Sequence, residues 1–261
     1  MKKYPIAIQI HCLREDFAEK PLETLKMIKE MGYDGVELNL GNLQLDKYTV
    51  EDYKAWLDEA GLECYSMMFG IDSMSAENKD KTLEVLLALG VKNVVIGSVK
   101  FDKLKEDPKG YADECVKAMI DMMELIKPYG LRAGYHAHDG DYLNKVGDVP
   151  FYEYVFMNTP KEFCMTIDTG NMMAGGGDPI ECIKKFPGRA PVVHVKGYGK
   201  EKGYTTPVWE SELDWVDFFN TARDIGNAEL FYIEFGARGA YTPVIRATLS
   251  CKWLESWVEK L

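Results

Sequence analysis

The chain has 261 residues, of which 46% are apolar and 28% charged, a balance that argues against disorder. We expect one domain over residues 1–261, because no linker-like or strongly charged stretch divides the chain. The formal charge of −11 argues against nucleic acid and anionic membranes as partners.

The sequence also indicates the compartment. The first apolar run is too short for a signal peptide, and nowhere do about 18 apolar residues follow one another, so we expect a cytoplasmic protein without a membrane span. The six cysteines are scattered and form no C-x-x-C pair. They predict reduced, mostly buried thiols rather than disulfides or a zinc knuckle.

Strand-like and helix-like segments alternate along the whole chain. The apolar runs predict strands at residues 6–10, 35–40, 63–68, 93–96, 131–136, 163–167, 191–195 and 230–234. Helical periodicity predicts helices at residues 21–31, 49–60, a segment that ends at Gly90, 111–127, 150–158, 179–186, 214–225 and 243–259. Glycine or proline ends most of these helices, and Asp178 is expected to cap the sixth.

Eight such alternations predict a parallel sheet covered by helices. Eight is also the number of strands that closes a (β/α)8 TIM barrel, which we therefore predict, with a doubly wound open sheet as the alternative. No G-x-G-x-x-G motif follows the first strand, and no phosphate-binding P-loop motif occurs. The sequence therefore gives little support to a nucleotide-binding fold.

Potential metal ligands follow several predicted strands. The segment Y-H-A-H-D-G-D-Y at residues 135–142 follows the fifth strand and contains His136, His138 and Asp141. A polar loop tip is the plain alternative for this segment. Asp168 follows the sixth strand, His194 lies near the end of the seventh, and Glu234 ends the eighth.

The carboxyl ends of barrel strands meet on one face, so these side chains are expected to lie close together. Several carboxylates and an imidazole aimed at one point repel one another unless a cation neutralises them. We therefore predict one bound divalent metal ion. Oxygen-rich ligation with one imidazole favours Mn²⁺, Mg²⁺ or Co²⁺, while Zn²⁺ and Fe²⁺ are also compatible.

Several segments together resemble the sugar phosphate isomerase/epimerase family of xylose isomerase-like TIM barrels. The resemblance lies in its branch with the motif Y-H-N-H-D-F-E-F, and the matching segments are residues 32–38, 135–142, 167–171, 177–179, 194–196 and 233–234. It implies a metal-dependent isomerase or epimerase that acts on a sugar, a keto-sugar or a cyclitol. The reaction would be proton abstraction next to a carbonyl, through an enediolate.

Other functions stay open at this point. The same family implies a dehydratase or lyase acting on a keto-inositol or a 3-keto-glycoside as one alternative. A catalytically inactive binding or partner subunit with the same fold is another. A metal-dependent apurinic endonuclease is disfavoured, because the net charge opposes DNA binding. The partner is thus expected to be a small carbohydrate, while the oligomeric state stays open, a homo-oligomer included.

The resemblance also implies a metal-ligand set. Carried over from the family motif, the ligands of one divalent ion, with Mn²⁺ favoured, are Asp141, Asp168, His194 and Glu234. Asp141 stands where the motif has the longer glutamate, and Gly140 stands where it has an aromatic residue. His136 or His138 is therefore the alternative first ligand. The family's H-V-K-D occurs here as H-V-K-G, which could loosen a supporting contact.

Roles in proton transfer follow from the same resemblance. Glu234 is expected to exchange the substrate proton, and at least one of His136 and His138 is the expected second proton-transfer group. A free imidazole with a pKa of about 6.5 would place one limb of the activity profile near neutral pH. Lys196 is expected to bind a substrate oxygen or the enolate. The substrate-binding candidates are His11, Glu37, Trp209 and Arg238.

Overall fold

The computed structural model describes residues 4–236 and 239–261. Its main sheet contains the strands β1 (Ile6–Gln9), β2 (Gly35–Asn39), β3 (Glu63–Gly70), β4 (Asn93–Ser98), β5 (Arg132–His136), β6 (Cys164–Asp168), β7 (Val192–Val195) and β8 (Leu230–Ile233). All neighbours pair in parallel in the order β1-β8-β7-β6-β5-β4-β3-β2. Because β1 also pairs with β2, the sheet closes, which confirms the predicted (β/α)8 TIM barrel over the open sheet.

Helices surround this barrel. In the described ranges they are α1 (Arg14–Glu19), α2 (Pro21–Met31), α3 (Val50–Ala60), α4 (Lys79–Ala88), α5 (Phe101–Glu106), α6 (Pro108–Ile126), α7 (Asp139–Leu143), α8 (Phe151–Asn158), α9 (Thr169–Ala174), α10 (Pro179–Lys185), α11 (Trp215–Asp224) and α12 (Pro243–Val258). Short 3-10 helices lie at Ile10–Leu13, Leu40–Asn42, Ile71–Met74, Lys127–Tyr129 and Val208–Glu210. The eight predicted helices correspond to α2, α3, α4, α6, α8, α10, α11 and α12. The short α1, α5, α7 and α9 were not predicted, nor was the hairpin of Lys145–Val146 with Val149–Pro150.

Local sequence signals set the limits of the longer helices. Thr49 and Asp52 form a capping box at the start of α3, and Gly61 ends that helix with a φ of 69°. The Asp178 carboxylate accepts hydrogen bonds from the backbone N–H groups of Ile180 and Glu181, which confirms the predicted cap of α10.

Alternation along the strands separates two faces of the barrel. Side chains that point outward are apolar and pack beneath the helices, as Ile8, Val36 and Ile233 do with almost no exposed surface. Inward positions near the carboxyl ends are polar and equally buried; they include Gln9, Glu37, His136, Asp168 and His194. Burial of these polar groups costs free energy unless they meet polar or charged partners. Their presence at the carboxyl end of the barrel therefore indicates a functional site there.

The strand register places the inward polar residues of neighbouring strands close together at the carboxyl end of the barrel. Asp168 of β6 pairs with His194 of β7, and His136 of β5 pairs with Thr166, two residues before Asp168. His194 in turn pairs with Tyr232 of β8. Glu234, two residues after Tyr232, therefore points into the barrel beside His194.

Two further expectations concern the chain as a whole. All six cysteines lie in the described residues, none of them forms a disulfide and five are buried, which confirms the prediction from their spacing. Among the residues described, no helix is both long and apolar enough to cross a membrane.

Candidate metal centre and active site

Four side chains converge at the carboxyl end of the barrel. His136, Asp168 and His194 end or nearly end the neighbouring strands β5, β6 and β7, and Glu234 follows β8 directly. Each offers one ligand atom, and these four atoms all lie within 4.8 Å of one another. Of the predicted ligands, the structure thus brings Asp168, His194 and Glu234 together.

The distances within the cluster show that the ligand atoms of its side chains face one common point. His194 Nδ1 lies 2.6 Å from Glu234 Oε2, and His136 Nε2 lies 3.2 Å from His194 Nδ1. His136 Nε2 is also 3.4 Å from Asp168 Oδ2. Asp168 Oδ1 accepts a hydrogen bond from the backbone N–H of Asn171 at 2.7 Å, but Asp168 Oδ2 is buried and has no hydrogen-bond partner in residues 4–236 and 239–261.

This donor set fits a divalent cation. A buried carboxylate oxygen that lacks a hydrogen bond is costly, and a metal ion would satisfy it. Two imidazoles and two carboxylates form a set richer in nitrogen than the sequence suggested. Such a set suits Mn²⁺ and Co²⁺ and also Zn²⁺ and Fe²⁺.

Lys196 lies directly beside the cluster. Its Nζ is 2.9 Å from Glu234 Oε1 and donates a second hydrogen bond to Asn171 Oδ1, also at 2.9 Å. Burial alone would raise the pKa of Glu234, but the neighbouring Lys196 and His136 outweigh burial and hold that pKa well below its usual value. Conversely, burial would lower the pKa of Lys196, but the carboxylates of Asp168 and Glu234 raise it. Lys196 is therefore a buried cation held against Glu234.

His194 lies between two carboxylates. Its burial would lower its pKa, but Glu37 and Glu234 outweigh burial and raise the pKa to about 10. A metal ion that takes His194 as a ligand must therefore displace a proton. We expect the affinity for the metal to fall as the pH falls.

Asp141, the predicted first ligand, does not join the cluster. Its side chain is fully buried, and its two oxygens accept hydrogen bonds from the Tyr135 hydroxyl and, at 2.6 Å, from the backbone N–H of His138. Burial raises the pKa of Asp141 to about 7 against the effect of these hydrogen bonds. The physical reason for the difference is that the short side chain meets two donors at once, the Tyr135 hydroxyl from β5 and the backbone N–H of His138 in its own turn. His136, the stated alternative, lies in the cluster instead.

Gly140 explains the second departure from the family motif. A Cβ added to Gly140 would lie 2.7 Å from Cε2 of Phe101. The Phe101 ring of α5 therefore fills space beside the turn after β5, where the motif has an aromatic residue in the turn itself.

His138 lines the cavity beside the cluster. Its ring centroid lies 4.7 Å from that of His136, and its Nδ1 is buried with no hydrogen-bond partner in the part of the chain that the structure describes. Burial, reinforced by the neighbouring His136, lowers the pKa of His138 to about 4. The expected pKa near neutrality is thus wrong for His138, which is neutral at pH 7 and can accept a proton.

The cavity has a volume of about 370 Å³ and opens above the cluster. His136, His138, Lys196 and Glu234 line one side of it. The first strands and the turns after them line the other side, with the polar side chains Gln9, His11, Asn39 and Ser98 beside the apolar Met68 and Phe69. Groups of this kind can bind several hydroxyls of a small polar molecule.

The remaining predicted substrate-binding residues lie in different places. His11 lines the cavity, with its Nε2 3.0 Å from Arg14 Nη1. Glu37 is fully buried and does not line the cavity. Trp209 packs against Tyr241 with ring centroids 5.7 Å apart and is likewise absent from the cavity lining. Arg238 lies outside the described residues.

Sequence reasoning missed several supporting residues. Asn171 holds Lys196 and also donates to the Ala137 carbonyl at 3.0 Å, so it joins the ends of β5, β6 and β7. Tyr204 lies with its ring 5.1 Å from Lys196 Nζ. Asn171 stands within a motif that carried the resemblance, whereas nothing in the local sequence marks Tyr204.

Gly197 accounts for the glycine in H-V-K-G. A Cβ at this position would collide with the Thr206 carbonyl oxygen. The glycine therefore lets the loop that carries Tyr204 approach the end of β7 closely.

Comparisons with known proteins agree with the barrel fold. A family model described as a xylose isomerase-like TIM barrel matches residues 25–257. An inosose dehydratase from Geobacillus kaustophilus is 22% identical over 193 residues, which cover 67% of this chain and 61% of that protein. The chain thus spans less than two thirds of the length of this relative.

Solved structures share the fold. A sugar phosphate isomerase/epimerase from Parabacteroides distasonis superimposes with a TM-score of 0.75 at 20% identity and covers 98% of this chain and 95% of its own. A D-allulose 3-epimerase from a Methylomonas species superimposes with a TM-score of 0.69 at 15% identity, covering 98% of both chains. At such identities the likeness shows a common fold and nothing finer.

Proposed function

The chain belongs to the xylose isomerase-like TIM-barrel family, and from this premise we propose that it is a divalent-metal-dependent isomerase or epimerase of a sugar, a keto-sugar or a cyclitol. One observation carries the proposal. The ligand atoms of four side chains, three of them buried and Glu234 partly buried, lie within 4.8 Å of one another, beside a cavity that Gln9, His11, Asn39 and Ser98 also line. This is the arrangement needed to hold a hydroxylated substrate over a metal ion.

The roles of the side chains follow from their contacts. His136, Asp168, His194 and Glu234 would hold the ion, which when bound supplies Lewis-acid polarisation of a carbonyl or hydroxyl oxygen. Glu234 abstracts the proton next to the carbonyl, because it faces the cavity and Lys196 keeps it ionised. Lys196 fixes the orientation of Glu234 through the 2.9 Å contact and adds positive charge where the enediolate forms.

His138 is the proposed partner in proton transfer. It lines the cavity, is neutral at pH 7 and has an unpaired Nδ1, so it can take up or return a proton on the substrate. Glu234 removes the proton next to the carbonyl, and His138, once it has taken up a proton from a substrate hydroxyl or from solvent, can return one to a different position or face.

A dehydratase acting on a keto-cyclitol is the second candidate. It is favoured by the sequence similarity to an inosose dehydratase, and the same proton abstraction would then be followed by loss of a hydroxyl group. The inactive partner subunit is less well supported. Its case depended on Asp141 failing to reach a metal, and the donor set is complete without Asp141.

Solvent exchange tests the proposed function. The protein, loaded with Mn²⁺, is incubated in deuterated buffer with ketohexoses, a keto-inositol and 3-keto-glucosides, and NMR follows the C–H group next to the carbonyl. We expect exchange with at least one of these compounds and its loss after chelation. Recovery of an epimer or isomer indicates the first candidate, and loss of water indicates the dehydratase. Exchange that persists unchanged in chelator would contradict metal dependence.

His138→Asn tests the second proton-transfer group. Loss of a positioned acid/base group costs roughly 10²–10⁴ in turnover, and we expect a decrease of this size with unchanged metal content. Because a base works only when deprotonated, kcat/KM should fall as the pH drops towards about 4, not near neutrality. A limb between pH 6 and 7 that disappears in His138→Asn would show that the structural assignment of the His138 pKa is wrong.

A further inference from the structure

Glu37 is a buried carboxylate that the reaction described above does not use. It lies inward on β2 beneath the cavity, with none of its surface exposed. Neither of its oxygens has a hydrogen-bond partner among the described residues. Burial of an unpartnered carboxylate opposes folding, so its presence calls for a physical explanation.

One group lies within reach of this carboxylate. Glu37 Oε2 is 3.2 Å from Nε2 of His194, and within the described ranges that nitrogen has no other hydrogen-bond partner either. The two hydroxyls nearby on the barrel interior, those of Ser66 and Tyr232, bond to each other at 2.7 Å. Because these two hydroxyls bond to each other, neither takes the place of His194 Nε2 as the partner of Glu37.

The two nitrogens of His194 face opposite ways. Nδ1 points into the cluster, 2.6 Å from Glu234 Oε2 and 3.2 Å from His136 Nε2. Nε2 points away from the cluster towards Glu37. A neutral imidazole that gives Nδ1 to a metal ion must carry its proton on Nε2, and an acceptor at Nε2 fixes both this tautomer and the angle of the ring.

We propose that Glu37 is a positioning residue of the metal centre: its carboxylate accepts the Nε2–H of His194 and so keeps Nδ1 unprotonated and aimed at the metal ion. The role replaces the substrate contact expected from the sequence, because Glu37 does not reach the cavity. It also differs from that of a fifth ligand, because the His194 ring lies between Glu37 and the cluster. The inference rests on the proposed metal centre.

Glu37→Gln is the variant that tests this role. Glutamine has nearly the same size but lacks the negative charge that holds the Nε2–H. Loss of such a supporting group typically costs about 10–100-fold in metal affinity, and we expect calorimetric titration with Mn²⁺ to show a decrease in this range. The visible absorption spectrum of the Co²⁺ form should also change, because the His194 ring is no longer fixed. A merely structural role would leave this spectrum unaltered.

Ser66→Ala is the matched control. Ser66 is also fully buried in the barrel interior, but it bonds Tyr232 and not His194. We expect this control to lower the melting temperature and to keep the wild-type Mn²⁺ affinity. Glu37→Asp keeps a carboxylate but places it one carbon further from His194, so its Mn²⁺ affinity should lie between those of wild type and Glu37→Gln. This variant also tests the role of Glu37 if the glutamine variant does not fold.

The outcomes separate this inference from the proposed function. Wild-type protein that binds no Mn²⁺ would overturn the metal centre and this role with it. Wild-type protein that binds Mn²⁺ while both Glu37 variants bind it equally well, with an unchanged Co²⁺ spectrum, would overturn the role of Glu37 alone.

Discussion

Replacement of Asp168 by alanine is expected to abolish Mn²⁺ binding and, with it, the solvent-exchange activity. Among the described residues, Asp168 Oδ2 is the one cluster oxygen that is fully buried without a hydrogen bond, with His136 Nε2 3.4 Å away. Wild-type protein should gain about 2.7 kcal/mol of stability at a Mn²⁺ concentration 100 times the dissociation constant. The Asp168→Ala variant should show no such gain in a thermal melt.

A matched control separates the ligand role from a structural one. Asp168 also caps α9 through the N–H of Asn171, and loss of a helix cap costs about 1 kcal/mol. Asp178→Ala removes an equivalent cap from α10, outside the cluster, and should keep Mn²⁺ binding. Asp141→Ala should keep it too. Full Mn²⁺ occupancy in Asp168→Ala would exclude Asp168 as a ligand. Loss of Mn²⁺ binding in Asp141→Ala would instead restore Asp141 to the ligand set, as expected from the sequence.

Glu234→Gln should reduce exchange of the substrate C–H hydrogen by roughly 10²–10⁴, the usual contribution of a positioned base. Glutamine keeps the size of the side chain and can still accept from Lys196, but it cannot take up the proton. The assay is NMR in deuterated buffer at saturating Mn²⁺, with the metal content of each sample measured. Saturation matters because Glu234 is also a proposed ligand.

Glu210→Gln serves as the control for this variant. Glu210 lies in the loop between β7 and α11 and pairs with Lys202 at 2.7 Å, a solvent-exposed pair that contributes little. The exchange rate of Glu210→Gln should match that of wild type. Wild-type exchange in Glu234→Gln with bound metal would exclude Glu234 as the base.

Much of the barrel could be predicted because its signals are local. Each strand is a short apolar run, and caps such as Thr49 and stops such as Gly61 mark the helices between them. The errors lie where tertiary context decides. β3 continues to Gly70, two residues beyond the prediction, with an irregular register against β4 at Phe69 and Gly70. The short helices α5, α7 and α9 form within loops that follow strands, where apolar periodicity is too brief to detect.

The positions of site residues were predictable where strand alternation fixes the direction of a side chain. They were less predictable in the turns beyond the strands. Asp168, His194 and Glu234 follow directly from their positions at strand ends, and the structure brings them together. Asp141 lies past the end of β5, so its direction depends on Tyr135 and on the backbone of the turn. For Glu37 the alternation on β2 indicates an inward side chain, but the sequence does not reveal how deep in the barrel it lies.

The location of the metal ion is the central claim, and anomalous diffraction from crystals grown with Mn²⁺ tests it most directly. We predict a single strong peak at the manganese edge, in contact with His136, Asp168, His194 and Glu234, with Asp141 still bonded to Tyr135. A peak ligated by Asp141, or no peak between these four side chains in crystals of protein that binds Mn²⁺ in solution, would contradict the account.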